Sequence, residues 1–200
     1  GFKYYVVNNG TPNYQSTTMN SDLKIGITGL PGSGKTFALQ RVIDKLRGDG
    51  YVIGGMIDEA VMDADGKFKV GYKVTNILTG ESCVFAESGL ESRIMNGKIG
   101  VDLERFESIA IPAIKEACEK CDIIVIDEVG KIEVESQAFV DTVKDSLDEE
   151  KPMILTLHKK SRNPLLQDIR RRDDVRILEV TPTNRNILPV KIVNLMNGAV

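Results

Sequence analysis

The chain has 200 residues, 42% of them hydrophobic and 28% charged, and a net charge of −3. A chain of this length buries about 70% of its extended surface on folding, so its core needs no disulfide or metal staples. The numbers describe a soluble globular protein of one domain, or one domain with a small insertion. They leave no overall basic footprint for nucleic acid.

Residues 1–21 are polar and rich in Asn, Thr and Tyr. They are expected to be a disordered or appended extension outside the core, with the domain itself spanning 22–200. An edge strand from Phe2 to Val7 is the alternative. The first core strand is expected at Leu23, Ile25 and Ile27. It runs into Gly29-Leu30-Pro31-Gly32-Ser33-Gly34-Lys35-Thr36, the P-loop pattern. Phe37, Ala38, Leu39, Val42, Ile43 and Leu46 then recur at helical spacing. Strand, glycine-rich loop and helix are the context this motif requires. The glycines let the backbone turn and bring its N–H groups to phosphate oxygens, and the helix start adds the positive end of its dipole. Lys35 is placed to reach the β- and γ-phosphates, and the Thr36 hydroxyl to bind Mg²⁺.

Gly48-Asp49-Gly50 caps the helix, and Tyr51–Ile57 reads as a second strand. Lys67–Ile77 alternates, Thr79-Gly80-Glu81 turns, and Ser82–Ala86 returns, predicting an inserted β-hairpin. Residues 87–102 read as irregular. Leu103–Lys120 has helical spacing. Ala138–Leu147, Pro164–Arg171 and Asn184–Asn197 are further helices, the last bent or delayed by Pro189. Asp122–Val129, Met153–Leu157 and Val175–Val180 are strands. The alternation predicts an α/β fold with a mostly parallel sheet covered by helices on both faces. Ligands then bind beyond the carboxyl ends of the strands.

Two acids stand at such an end. After Ile123-Ile124-Val125-Ile126 come Asp127, placed to hold Mg²⁺ directly or through water, and Glu128, placed as general base or to orient the attacking water. The strand Met153–Leu157 ends in His158, the one histidine of the chain, and Thr156 and His158 are candidate γ-phosphate sensors. Lys159-Lys160-Ser161-Arg162 and Arg170-Arg171-Arg172 are basic runs that suit a phosphate clamp, an arginine finger or a solvated face; Lys98 is a further candidate cation. Cys118 and Cys121 form a lone C-x-x-C, read as a helix end entering a buried strand rather than as a zinc or redox site. No apolar run is long enough for a membrane span, and no secretory signal pattern appears, which points to the cytoplasm. The Asn-Lys-x-Asp guanine element is absent. Asn184 and Arg185, after the last strand, are the expected neighbours of the base.

The chain resembles the small nucleoside-triphosphatases first described from thermophiles and shared with archaea and animals. The resemblance rests on the P-loop at 29–36, Val-Gly-Tyr-Lys at 70–73, Thr-Gly-Glu at 79–81 and Gly-Val-Asp-Leu at 100–103. It continues in Ile-Asp-Glu-Val-Gly-Lys-Ile-Glu at 126–133, Leu-His-Lys-Lys at 157–160 and Asn-Arg at 184–185. There are two departures: residues 54–63 carry no threonine before Glu59, and Ile99 takes the place of an aromatic. The resemblance implies a P-loop NTPase of RecA-like fold and Mg²⁺-dependent hydrolysis of several nucleoside triphosphates; the sequence leaves the oligomeric state open, with a monomer favoured. A nucleoside or nucleotide kinase, with an acceptor pocket in 54–100 and a lid in 159–173, is the alternative. A nucleotide-binding switch is a third reading.

Overall fold

The computed structural model describes residues 23–198 in full and, before them, the backbone of two short strands. These are β1 (Val7–Asn8) and β2 (Thr11–Pro12), which pair antiparallel in a sheet of their own. The expected edge strand from Phe2 lies, but for Val7, outside the described residues, as does most of the polar extension.

The hydrophobic run after Leu23 becomes β3 (Lys24–Gly29), buried along its whole length. The P-loop follows, and α1 (Lys35–Gly48) begins at its last two residues. β4 (Ile53–Met62) is longer than the sequence suggests, and it leads into β5 (Lys69–Asn76) and β6 (Ser82–Ser88). The stretch expected to be irregular contains β7 (Met95–Asn96) and β8 (Ile99–Val101). α2 (Leu103–Lys120) matches its expected bounds, with Asp102 as N-cap accepting from the Arg105 N–H. Next come β9 (Ile123–Val129), a single 3-10 turn at Glu133–Glu135 and α3 (Gln137–Leu147). β10 (Met153–His158), α4 (Pro164–Arg171), β11 (Val175–Glu179) and α5 (Leu188–Met196) complete the described chain. The last helix starts later than expected. Pro189 sits in its first turn, and the turn Thr181–Asn184 takes up the residues before it.

The strand order is β11-β3-β10-β9-β4-β5-β6-β8-β7. The first five are mutually parallel and the remaining pairings are antiparallel. The parallel half confirms the α/β expectation. The inserted hairpin is not a separate appendage but an extension of the same sheet. β4 makes this continuity possible, because Ile53–Ile57 pair in parallel with Ile123–Asp127 while Met56–Met62 pair antiparallel with β5. One long strand serves both halves.

β9 shows why its sequence is apolar without alternation. Ile124 and Ile126 face the core under α2 and α3, whereas Ile123 and Val125 face the core under α1 and α5. A strand buried on both sides has no polar face to show. Cys121 belongs to the first of these cores and lies against Gly54, as expected for a helix end entering a buried strand. Burial pushes the Cys118 thiol up to about 11 and raises Cys121 as well. No helix among the described residues is long and apolar enough to cross a membrane.

Candidate active site

The P-loop strand β3 and the acid-bearing strand β9 are not neighbours, because β10 lies between them. The carboxyl ends of all three therefore converge on one place, and the tip of β10 is its centre. His158 pairs in register with Gly29, the first P-loop glycine.

Glycine is needed at two positions of the loop for different reasons. Gly34 has a φ of +105° at the N-cap of α1, a left-handed conformation that side chains rarely adopt. Gly29 is a matter of space, since a β carbon there would lie 2.5 Å from the Ser33 hydroxyl. Leu30, Pro31 and Gly32 form the exposed crest, and the Leu30 carbonyl accepts from the Ser33 N–H at 3.0 Å. The first N–H groups of α1 open onto this loop without intrahelical acceptors, as at any helix start.

Lys35 donates from Nζ to the Gly29 carbonyl at 3.0 Å and lies 3.5 Å from Glu128 Oε2. The Thr36 hydroxyl donates to Asp127 Oδ2 at 3.2 Å. The four residues that the sequence analysis drew from two motifs 91 positions apart thus meet side by side. Asp127 is 3% exposed and also accepts from the Thr156 hydroxyl at 2.6 Å. Burial pushes its carboxyl up to about 7. The repulsion of Glu128 adds to this, and the two threonine hydroxyls oppose it.

This geometry decides the role of Thr156. Its side chain is completely buried and its hydroxyl donates to Asp127, so the contact it makes is with the acid. Of the two candidate sensors, only His158 reaches the surface of the site. Its Nδ1 accepts the Lys160 N–H at 3.3 Å, which in the neutral ring leaves Nε2 as the donor.

The basic runs separate into structural and exposed members. The Arg170 guanidinium donates to the carbonyls of Ser161, His158 and Lys159 at 2.9, 2.6 and 3.1 Å, holding the loop after β10. Arg172 makes a two-pronged contact with Asp174 at 2.9 and 3.0 Å and donates to the Leu147 carbonyl. Lys159 pairs with Glu179 at 2.8 Å. Lys98, Lys160, Arg162 and Arg171 are exposed.

Asn184 and Arg185 also differ in their surroundings. The Asn184 amide holds its own turn, accepting from the Thr181 N–H at 2.7 Å and donating to the Glu179 carbonyl at 2.9 Å. Its side chain thereby shapes the loop that carries Arg185. The aliphatic part of Arg185 lies over Gly34, on the P-loop itself.

Sequence reasoning missed two members of the site. Asp58 on β4 and Glu133 in the 3-10 turn bring their carboxyls together beside Asp127 and Glu128. Burial first, and then the neighbouring acids, push Asp58 well above the usual carboxylate range; burial raises Glu133 too. Glu133 closes the Asp-Glu-x-Gly-x-x-Glu run, so a signal was present for it. Asp58 had none beyond an acid placed where the strand should be half-buried.

The family model described as NTPase matches residues 24–193. The chain is 43% identical over 176 residues to a nucleoside-triphosphatase THEP1 of Thermoplasma volcanium, covering 88% of this chain and 98% of that protein. Among solved structures it is similar to THEP1 from the hyperthermophile Aquifex aeolicus, with a TM-score of 0.77, 29% identity and coverage of 87% of this chain and 99% of that one. It is likewise similar to a human cancer-related nucleoside triphosphatase, with a TM-score of 0.74, 31% identity and coverage of 89% and 99%. A P-loop, a paired acid strand two places away in the sheet and a family match over nearly the whole described chain agree: this protein belongs to the NTPase family.

Proposed function

We propose that this protein hydrolyses nucleoside triphosphates to nucleoside diphosphates and phosphate with Mg²⁺, and that it discriminates little among ATP, GTP, CTP and UTP. The observation that carries the reading is the meeting of Thr36 with Asp127 and of Lys35 with Glu128 across the tip of β10. Relatives named nucleoside-triphosphatase support it.

The Thr36 hydroxyl and the Asp127 carboxylate are adjacent oxygen donors of the kind Mg²⁺ takes, so the residues fit the ion. Bound there, Mg²⁺ supplies neutralisation of charge on the phosphate oxygens. Lys35 exchanges the Gly29 carbonyl for the β- and γ-phosphates. The N–H groups of Gly29–Thr36 cradle the phosphate chain. Glu128 accepts a proton from water as the water oxygen bonds to the γ-phosphorus and the bond to the β-bridging oxygen breaks. His158 offers its Nε2–H to the γ-phosphate. Arg185, above Gly34, stacks on the base through its guanidinium plane, a contact that every base accepts. The free thiols Cys83, Cys118 and Cys121 suit the cytoplasm.

The test is phosphate release from the four triphosphates, with and without Mg²⁺, in the wild type, Lys35→Ala and Glu128→Gln. The variant lacking Lys35 is expected to lose hydrolysis and most triphosphate affinity. Glu128→Gln is expected to bind Mg·ATP normally while kcat falls on the order of 10²-fold or more. Normal turnover in either variant overturns the assignment. A requirement for an added nucleoside or nucleoside monophosphate would make the protein a kinase instead.

A further inference from the structure

Asp58 takes no part in the reaction above, yet its carboxyl is turned into the site. Both of its carboxyl oxygens are buried, and no N–H or O–H group among the described residues donates to either. What faces them is the carboxyl of Glu133, which is itself 7% exposed. Two ionised carboxylates cannot hydrogen-bond, and an unpaired buried charge is strongly disfavoured. One proton held between them removes the repulsion and makes an O–H···O⁻ bond, a strong class of hydrogen bond. The direction of that bond follows from the other partners. The backbone N–H dipoles of Gly130 and of Glu133 itself favour a charge on Glu133, whereas no donor reaches either oxygen of Asp58. Glu133 is therefore the anion, and Asp58 is the acid that donates to it.

Glu133 in turn backs Glu128. A β carbon on Gly130 would lie 2.5 Å from Glu133 Oε1 and 2.8 Å from Glu128 Cγ, so both side chains press on that one glycine. On its other side Glu128 is loosely held. No donor makes a hydrogen bond to its Oε2, and the nearest cation, Lys35, is 3.5 Å away. Lys35 must also leave for the phosphates when substrate binds. What then lies behind the Glu128 side chain is Glu133, whose carboxyl meets Asp58 of β4.

We propose that Asp58, protonated and donating to Glu133, is a positioning residue that holds the Glu128 carboxylate where it accepts the proton of the attacking water. The proposal rests on the reading of Glu128 as the base. Its job falls to Asp58 because β4 is the strand that pairs with β9 up to Asp127.

The test compares kcat and KM for Mg·ATP in Asp58→Leu, Asp58→Asn, Glu128→Gln and the double variant Asp58→Leu with Glu128→Gln. Loss of the donor in Asp58→Leu is expected to lower kcat about tenfold or more, since a displacement of about an ångström at a reacting group costs up to 10²-fold. KM is expected to stay within about twofold, because no phosphate contact is touched. Asp58→Asn keeps an N–H donor for Glu133 and is expected to retain kcat within about twofold. The double variant is expected to be no slower than Glu128→Gln alone, because Asp58 acts only through Glu128. Should Asp58→Leu fail to fold, Glu133→Ala removes the same bond from the other side and carries the same expectation. A normal kcat in Asp58→Leu, an Asp58→Asn as slow as Asp58→Leu, or a further tenfold loss in the double variant overturns the proposal while Glu128→Gln remains crippled. A fully active Glu128→Gln overturns both the reading of the base and the proposal.

Discussion

At the scale of single residues, the site is governed by the cost of burying carboxylates. Asp127 sits in a nearly closed pocket, and that burial holds its carboxyl up to about 7. An unfolded aspartate titrates near 3.9, so between about pH 4 and 7 the metal-free folded protein holds a proton that the unfolded chain releases. The stability contributed by this group therefore declines as pH rises through that window. Chemical denaturation in EDTA should show Asp127→Asn gaining stability relative to the wild type from pH 4 to pH 8, by on the order of a few kcal/mol. A pH-independent difference would reject the cause. The same proton competes with Mg²⁺, so the metal concentration that half-activates hydrolysis should rise as pH falls below about 7. His158 is a different case. A group that meets the γ-phosphate mainly as it departs stabilises the transition state more than the ground state. His158→Ala should thus lower kcat with little change in KM for Mg·ATP, and a variant with normal kcat but lowered Tm would mark it as a packing residue.

At the scale of elements, the loop after β10 is the piece whose placement matters most. It follows His158 directly, and three of its carbonyls depend on the one guanidinium of Arg170. That guanidinium comes from α4, whose other face buries Leu165, Leu166 and Ile169. Arg170→Ala leaves the Lys159 and Ser161 carbonyls without that donor and the His158 carbonyl with only the Ser161 N–H at 3.5 Å, at about 2 kcal/mol on the scale of hydrogen bonds to charged groups. Urea unfolding should show that loss, and phosphate release should fall with it because the loop that brings the Lys160 N–H to the His158 ring is no longer held. Arg170→Lys keeps the charge but not the planar fork, and should behave more like alanine than like the wild type. An alanine variant of full stability and activity would show that the loop holds itself.

At the scale of the whole molecule, the two halves of the sheet have different work. The parallel half, β11-β3-β10-β9-β4, carries the P-loop, the acids and the histidine at one end. The antiparallel half, β5 to β8, packs Tyr72 and Phe85 against Phe106 of α2 and so completes the core beneath β4. On the proposed reading, base recognition falls to the loop between β11 and α5, outside both. With the Asn184 side chain holding its own turn, the proposal gives Arg185 the contact with the base, by stacking. The four triphosphates should therefore be hydrolysed with kcat/KM within about tenfold of one another, a spread of about 1.4 kcal/mol. Arg185→Ala should raise KM for all four together. A thousandfold preference for one base, or a loss confined to one base, would require a specific pocket.

The chain by itself determined whatever depends on local spacing. The P-loop, its strand and its helix are contiguous in sequence, and their chemistry requires those residue types in that order. The acid pair was legible because a strand buried on both faces ends abruptly in charge. The bounds of α2 followed from periodicity. Only the tertiary structure decided matters of partnership between distant segments. Thr156 turned from a candidate sensor into the support of Asp127 because β10 lies between β3 and β9, an order that no local pattern specifies. The inserted hairpin became part of the main sheet because β4 runs past the end of its parallel partner. Asp58 and Glu133 are 75 residues apart, and an acid in a strand reads as solvent-facing until another acid is folded onto it. Their pairing is a fact of burial, and burial is a property of the assembled sheet.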